Sequence, residues 1–357
     1  MRITLTCFAA LVLGMVCTAR ADLSESLKTG VMDMKQAGPL AFGADGVLFV
    51  GDNQQGAIYA IATGDVSGDV SHMKVSVKGI DKQIAAMLGT TAGDILINDI
   101  AVNPASVNVY LSVSRGRGTG GMPALIRVDG SGKLSEVKLA EARFAKAMLN
   151  NIATSGNQRG QAITDLAYDH GKVIVAGLSN EEFASKLRTL EFPFGKSDGA
   201  SVEIYHGNHG QLETRSPVRT FVTLDIAGSP NVLAAYTCTP LVTFPIAELK
   251  GGAKVTGKTV AELGAGNSPL DMITYQKNGK EYLLVTNTKR GVMKVSMEEI
   301  TSVPAIKARV GGIAGLKYET INELTNVKQL DKLNGQSAVL LVAADGGEAE
   351  LRTIALP

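Results

Sequence analysis

The chain has no tryptophan, and aromatic residues make up only 5% of its 357 residues. Recognition of sugars by ring stacking depends on such side chains, so the composition disfavours it. The chain also lacks a Cys-x-x-Cys-His motif for covalent haem. Basic and acidic residues nearly balance, at 35 and 34, which leaves no electrostatic footprint for nucleic acid.

Long hydrophobic runs are missing too, since a membrane span needs about 20 apolar residues. Residues 1–21 combine Arg2, a short apolar stretch and the pattern Ala19-Arg20-Ala21, which signal peptidase cleaves. We interpret them as a secretory signal, so the mature chain, residues 22–357, is expected in the periplasm or outside the cell without a membrane span. Cleavage would leave Cys238 as the single cysteine, with no intramolecular disulfide partner.

Glycine is abundant, with 40 residues, and only 19% of residues are charged, a composition typical of a many-stranded protein with tight turns. Residues 269–300 show the pattern most clearly. A short alternating strand at 272–275 leads into Asn278-Gly279, a pair that favours a two-residue hairpin, and residues 282–286 return as the second strand. A third strand is predicted at residues 292–295.

This unit repeats along the chain. Residues 225–249 align with residues 276–300 without a gap, and further copies place the starts of six units near residues 38, 98, 164, 219, 270 and 326. One sheet of this size cannot bury both of its faces until neighbouring sheets pack against it. The sequence therefore predicts a single all-β domain, a six-bladed β-propeller, with seven blades as the alternative.

The last unit lacks a fourth strand, whereas residues 22–37 precede the first unit without a blade of their own. We therefore predict that the N-terminal segment closes the ring. Helical insertions are predicted at residues 81–88, with Asp81 as the N-cap, at residues 140–150, and after a capping box from Ser179 to Glu182.

In a four-stranded meander, the turns between strands two and three share one face with the connections between blades. We name this face the insertion face, because the long insertions belong to it, and the opposite face the hairpin face. Since loops on a rigid scaffold carry most binding functions, we predict the ligand site on the insertion face. Its candidate ligand-binding residues are Arg115, Arg117, Glu181, Arg188, Lys289 and Arg290.

Three carboxylates, Asp99, Asp165 and Asp271, occupy the same register just before the innermost strand of their units. They are predicted to converge at the mouth of the central channel on the insertion face. Three such carboxylates suit a hard divalent cation such as Ca²⁺. The simpler interpretation is that each one caps a backbone turn at a strand entry.

The remaining reactive side chains are interpreted as structural. Cys238 lies in a turn on the insertion face, and we interpret it as a small, partly buried residue. His206 and His209, with Glu213, have a spacing seen among metal ligands, but a role in a turn on the hairpin face is the interpretation we favour.

The repeat resembles the NHL and YVTN-type propellers of secreted bacterial proteins, and stretches such as YHGNHGQLETRSPVRTF are similar to an uncharacterised secreted propeller family. The aspartate register also resembles that of gluconolactonase-like hydrolases, although Gly38-Pro39 stands where those enzymes carry a glutamate. From the insertion face we expect a binding module for a protein or small ligand. The resemblance to gluconolactonase-like enzymes implies the alternative, a metal-assisted hydrolase or lactonase. Without tryptophan docking signatures, no quinone cofactor is expected, and no haem.

Overall fold

The computed structural model describes residues 22–68, 74–154, 156–195, 197–343 and 347–357, so the predicted signal lies outside the described residues. Strands dominate this part of the chain. Its helical segments are the α-helices α1 (Ile80–Leu88) and α2 (Gly156–Arg159) and the 3₁₀ turns Leu23–Ser26, Ala92–Asp94, Gly118–Gly120 and Ile246–Glu248. In the described ranges, no helix is both long enough and apolar enough to cross a membrane.

The strands follow in chain order. They are β1 (Lys28–Thr29), β2 (Leu40–Phe42), β3 (Val47–Asp52), β4 (Ala57–Ala62), β5 (Ser76–Lys78), β6 (Ile95–Val102), β7 (Val109–Arg115), β8 (Met122–Val128), β9 (Leu134–Glu136), β10 (Arg143–Met148), β11 (Asp165–Asp169), β12 (Lys172–Leu178), β13 (Ser185–Glu191), β14 (Ser197–His206), β15 (Gln211–Glu213), β16 (Val218–Ile226), β17 (Ser229–Tyr236), β18 (Pro240–Pro245), β19 (Lys254–Thr256), β20 (Lys258–Leu263), β21 (Pro269–Lys277), β22 (Lys280–Asn287), β23 (Val292–Ser296), β24 (Ile313–Gly315), β25 (Tyr318–Ile321), β26 (Val327–Lys332), β27 (Ser337–Ala343) and β28 (Ala349–Ala355).

These strands form six sheets, which we number as blades in the chain order of their inner strands. From the inner strand outward, blade 1 is β2-β3-β4-β10-β1, blade 2 is β6-β7-β8-β9, blade 3 is β11-β12-β13-β14-β15 with β19 beside β14, blade 4 is β16-β17-β18-β20-β24, blade 5 is β21-β22-β23-β25, and blade 6 is β26-β27-β28-β5. The inner strands contact one another around a ring. The predicted six-bladed propeller is confirmed, and its inner strands begin close to the predicted unit starts.

Two-residue hairpin turns form at an Asn-Gly pair and an Asp-Gly pair of the sequence. Asn278 and Gly279 adopt φ values of 54° and 75°, and Asp45 and Gly46 adopt 57° and 67°. Two consecutive residues with positive φ give the type I′ turn, whose twist matches that of antiparallel strands. These local turns fix the pairing of the first two strands in blades 5 and 1.

The blades do not follow one another around the ring in sequence order. The inner strand of blade 1 lies against those of blades 2 and 3, and the inner strand of blade 2 lies against that of blade 6. Hydrogen bonds support this order: Asn53 exchanges two with the backbone of Ile163 in blade 3, at 2.7 and 3.0 Å, and Gln329 of blade 6 donates one to Asn98 O, at 3.2 Å. Around the ring the order is therefore 1, 3, 4, 5, 6, 2.

The predicted closure by the N-terminal segment is wrong. The fourth strand of blade 6 is β5, in which Val77 pairs with Leu351. The N-terminal strand β1 instead pairs with β10 at the outer edge of blade 1. After the third strand of blade 1, the chain thus crosses to blade 6, where it forms β5. It then passes through α1 into the four strands of blade 2 and returns to blade 1, where β10 is the fourth strand.

Two of the three predicted helices are also wrong. Residues 143–148 form β10, which pairs with β4, and residues 185–191 form β13, which pairs on both of its sides with β12 and β14. Backbone hydrogen bonds to neighbouring strands stabilise the extended conformation more than a weak helical preference stabilises a helix. The helix predicted at 81–88 is confirmed as α1, but Gly79 is its N-cap, and the Asp81 carboxylate accepts the N–H of Ala349 at 3.1 Å.

Asp65 joins blade 1 to blade 2 at a buried junction. Its Oδ2 accepts hydrogen bonds from Ser106 Oγ, Asn108 Nδ2 and Tyr110 Oη at 2.8 to 2.9 Å, and the Nε of Arg127 lies 3.7 Å away. This carboxylate therefore satisfies three polar groups that water does not reach.

We expect Asp65→Ala to lower the free energy of unfolding by about 3 kcal/mol, because each buried donor left without an acceptor costs about 1 to 3 kcal/mol. Urea denaturation measures the change. Asp129→Ala is the matched control, since Asp129 also accepts several hydrogen bonds, but in an exposed turn. Equal losses in the two variants would contradict the junction role.

Candidate functional site: the central channel

The three aspartates of the predicted register converge, and a fourth joins them. Asp99, Asp165 and Asp271 lie on the inner strands of blades 2, 3 and 5, and Asp331 lies on that of blade 6. All four line one cavity of about 650 Å³ in the centre of the ring. The channel therefore brings together carboxylates from four different blades.

Each carboxylate bridges two neighbouring blades. Oδ1 of Asp99 accepts the N–H of Ile100 at 2.8 Å, and its Oδ2 accepts the N–H of Leu40 in blade 1 at 2.7 Å. The other three carboxylates repeat this pattern: one oxygen accepts the N–H of the following residue, and the other accepts an N–H from the neighbouring blade. The neighbouring-blade donors are Phe221 for Asp165, Leu330 for Asp271 and Val102 for Asp331. The interpretation that these residues cap backbone N–H groups therefore describes their geometry well.

The bridges all run in one rotational sense, from blade 3 to 4, 5 to 6, 6 to 2 and 2 to 1. At the two remaining junctions the register holds other residues, Gly38-Pro39 in blade 1 and Thr220 in blade 4. In blade 6 the register position belongs to Gln329, because a β-bulge precedes Gln329 as it precedes Asp99 and Asp271.

Asp331 escaped the sequence analysis because it lies two residues beyond that register, deeper along its strand. Its pairing residue is Val339, whereas Gln329 pairs with Leu341. The two-residue offset keeps the side chain on the same face of the strand, toward the channel. An inspection of both channel-facing positions of each inner strand would have found it.

The protein environment disfavours ionisation of all four carboxyls. Burial raises the pKa of Asp165 and that of Asp331 to about 6. Burial, followed by repulsion from neighbouring carboxylates, raises the pKa of Asp99 and Asp271 well above the usual value. Two backbone N–H groups at each carboxylate oppose this effect without cancelling it.

The cavity extends from the carboxylates toward the hairpin face. Its further lining includes Pro104 and Val107 in the first turn of blade 2, and Asn334 and Gly335 in that of blade 6. Asp99, Asp165 and Asp271 are the first lining residues of their strands, so the space opens away from the predicted mouth on the insertion face. A smaller cavity of about 190 Å³, lined by Asn98, Thr164 and Arg219 among others, lies on the insertion side.

The carboxylates fit a directly bound cation only in part. Their oxygens are the ligands that Ca²⁺ prefers, but Ca²⁺ takes six to eight of them, and every carboxylate oxygen here already accepts one N–H. Among the described residues, the carboxylates of Asp99, Asp165 and Asp271 do not form a group whose ligand atoms all lie within 4.8 Å of one another. The predicted cation site stays a prediction, and it would need water to complete the coordination.

The six charged residues predicted on the insertion face fall into three separate groups. Arg115 and Arg117 donate to the carbonyls of Gly89 and Gly93. Neither these two nor the other four lines either of the two cavities.

The second group lies in blade 3 and the third in blade 5. Arg188 is only 4% exposed and reaches Asn150 O, and burial lowers its pKa to about 10. Glu181 pairs with Lys186 at 2.6 Å. In the third group the Lys289 backbone N–H donates to the side chain of Asn267, and the Arg290 guanidinium donates to a carbonyl in the same connection. The four arginines thus bind backbone carbonyls near them, and the structure does not bring the six residues to one site.

The predicted separation of Cys238 from the two histidines is wrong. One ring nitrogen each of His206 and His209 and the Sγ of Cys238 all lie within 4.8 Å of one another. Because residues 185–191 form a strand and not a helix, the hairpin after β14 emerges on the insertion face, beside the turn that holds Cys238.

No family model matches the chain, and no curated protein matches it. Solved structures it is similar to include an engineered GH43 glycoside hydrolase with endo-xylanase and exo-arabinofuranosidase activity, at 13% identity and a TM-score of 0.38 over 70% of this chain and 48% of that one. Another is the PQQ-bound aldose sugar dehydrogenase of Streptomyces coelicolor, at 12% identity and a TM-score of 0.34 over 92% and 95% of the chains. The sheet topology of the chain itself identifies it as a six-bladed β-propeller.

Proposed function

We propose that this protein is an exported binding propeller that takes a small cationic ligand into its central channel. The observation that carries the proposal is the set of four aspartates around one cavity, each fixed by hydrogen bonds from two blades. A site built on rigid strands holds its acceptors in place before the ligand arrives. Export rests on the signal pattern of residues 1–21.

The chemistry of the lining selects the ligand class. Lys332 is the single basic residue among the lining residues, against four acidic ones, and apolar side chains such as Phe42, Ile273 and Leu333 make up much of the wall. A ligand cation would offset the repulsion that raises the pKa of Asp99 and Asp271. An organic cation with an apolar body, such as a polyamine, matches both features.

Calorimetric titration with spermidine tests this function. We expect the wild type to bind spermidine at least about tenfold more tightly than Asp331→Asn, a difference of about 1.4 kcal/mol. Asp225→Asn is the control, because it removes the same charge from an exposed position outside the channel. Equal affinities of the wild type and Asp331→Asn would contradict a ligand in the channel.

The same titration with calcium chloride examines the alternative, a metal-assisted hydrolase. Tight, stoichiometric Ca²⁺ binding that Asp165→Asn abolishes would favour a resident cation over an organic one. In that case hydrolysis of lactones becomes the activity to assay. Binding of spermidine without Ca²⁺ binding favours the binding propeller.

A further inference from the structure

At the junction of blades 3 and 4, a cluster of side chains has no part in the channel. His206 ends β14, His209 lies three residues later in the hairpin, and Cys238 lies in the turn between β17 and β18. One nitrogen of each ring and the thiol sulfur are all within 4.8 Å of one another, and the two ring centroids lie 3.7 Å apart with the ring planes tilted by 32°. From this geometry we propose a transition-metal site, with Zn²⁺ as its first candidate.

The ligand set defines the class of metal. Two imidazoles and a thiolate are ligands for Zn²⁺ or copper, whereas Ca²⁺ and Mg²⁺ take oxygen. Zn²⁺ binds nitrogen at about 2.0 to 2.1 Å and sulfur at about 2.3 Å, so neighbouring ligand atoms lie about 3.5 Å apart in a tetrahedral site. A contraction of at most about 1.3 Å from the observed limit of 4.8 Å is within reach of side-chain rotation, since His209 is half exposed and Cys238 lies in a turn.

The environment of the His206 ring indicates that a ligand of its nitrogens is missing. The residue is only 2% exposed, yet among the described residues neither ring nitrogen has a partner with hydrogen-bond geometry. Its Nδ1 lies 3.1 Å from Glu213 Oε2, and its Nε2 lies 4.0 Å from Glu262 Oε2. Buried polar atoms are rarely left unpaired, and a metal ion would satisfy one of these nitrogens.

Glu213 orients the histidines as an outer-shell carboxylate does in many metal sites. Its Oε1 lies 2.6 Å from Nδ1 of His209, which leaves Nε2 of that ring free to bind a metal. Ser216 donates to the other carboxylate oxygen of Glu213 and holds it in place. Glu213 is therefore a positioning residue, while Glu262 or a water molecule would supply the fourth ligand.

The backbone around the cluster is fixed and strained. Cys238 and Thr239 adopt φ values of 64° and 63°, in the left-handed region that residues other than glycine rarely adopt. Hydrogen bonds from Cys238 N to Asn267 O, at 2.7 Å, and from Thr239 Oγ1 to Gly264 O, at 2.9 Å, maintain this turn. Strain of this kind is concentrated at functional sites, where it directs a side chain.

Titration of the full mature chain with Co²⁺ tests the site, because Co²⁺ bound to a thiolate gives a charge-transfer absorption that reports the Cys238 bond directly. We expect one Co²⁺ per chain, displaced by one Zn²⁺. Cys238→Ser should abolish the charge-transfer band. Cys238→Ser and His209→Ala should each weaken Zn²⁺ binding by at least about 100-fold, since losing an outer-shell partner alone costs about 10- to 100-fold.

Two further variants make the result specific. Glu213→Gln should weaken Zn²⁺ binding by about tenfold while keeping the charge-transfer band, as expected of a positioning residue. His170→Ala is the matched control, because His170 is 81% exposed and pairs with Asp169 in a distant turn. A wild type without the charge-transfer band, or a loss in His170→Ala equal to that in His209→Ala, would overturn the proposal.

Discussion

Val77→Asp is expected to lower the free energy of unfolding by about 4 kcal/mol or more. Val77 is the buried residue of β5, 4% exposed, and it packs into the apolar cluster between blades 2 and 6. The substitution removes about 1.5 to 3 kcal/mol of apolar burial and places an unpaired charge in the core. Chemical denaturation followed by circular dichroism measures the loss.

The control for Val77→Asp lies on the same strand. Ser76 is exposed, so Ser76→Asp introduces the same charge without burying it and should change stability by less than about 0.5 kcal/mol. Removing residues 22–29 should cost less than Val77→Asp, because β1 pairs only at the outer edge of blade 1. A larger loss from this truncation, with little effect of Val77→Asp, would restore closure by the N-terminal segment.

The second large effect is a gain of stability on acidification. A carboxyl whose pKa is raised to about 6 in the folded state, as in Asp165 and Asp331, binds its proton more tightly when folded than when unfolded. Its contribution is complete below the unfolded value near 3.8 and is lost as pH rises through about 6. Between about pH 7.5 and about pH 5, each of the two should add about 1.4 kcal/mol to the free energy of unfolding.

Urea denaturation of the wild type and of the double variant Asp165→Asn/Asp331→Asn, with a chelator present, measures this effect. The double variant should lose about 3 kcal/mol of the pH dependence, whereas Asp225→Asn should keep all of it. Glu213 has its pKa lowered to about 2, so its titration falls outside this pH range. A wild type whose stability is flat across the range would show that the channel carboxyls ionise without cost.

Much of the fold could be predicted because its signals are local. Alternating apolar residues and turn pairs such as Asn278-Gly279 act over a few residues, so the six inner strands were placed near their observed starts. The helices predicted at 140–150 and after Ser179 failed for the opposite reason. Whether β10 and β13 become strands depends on partners that lie elsewhere in the chain.

The sites divide in the same way. The repeat register predicted the convergence of Asp99, Asp165 and Asp271, since equivalent positions of equivalent strands meet at the axis of a ring. It did not predict Asp331, which uses the next channel-facing position. Nor did it predict that Cys238 meets His206, because that contact depends on how many strands blade 3 contains.

By itself, therefore, the sequence determined the inner strands with their hairpins, the number of blades and the convergence of Asp99, Asp165 and Asp271, all of which follow from short-range patterns repeated along the chain. Only the tertiary structure decided the order 1, 3, 4, 5, 6, 2 and closure by β5. The facing surfaces of the blades are generic Val, Leu and Ala side chains, so apolar burial alone gives no preference between neighbours. Specific long-range contacts at Asp65, Asn53 and Val77 make that choice, and no local pattern encodes them.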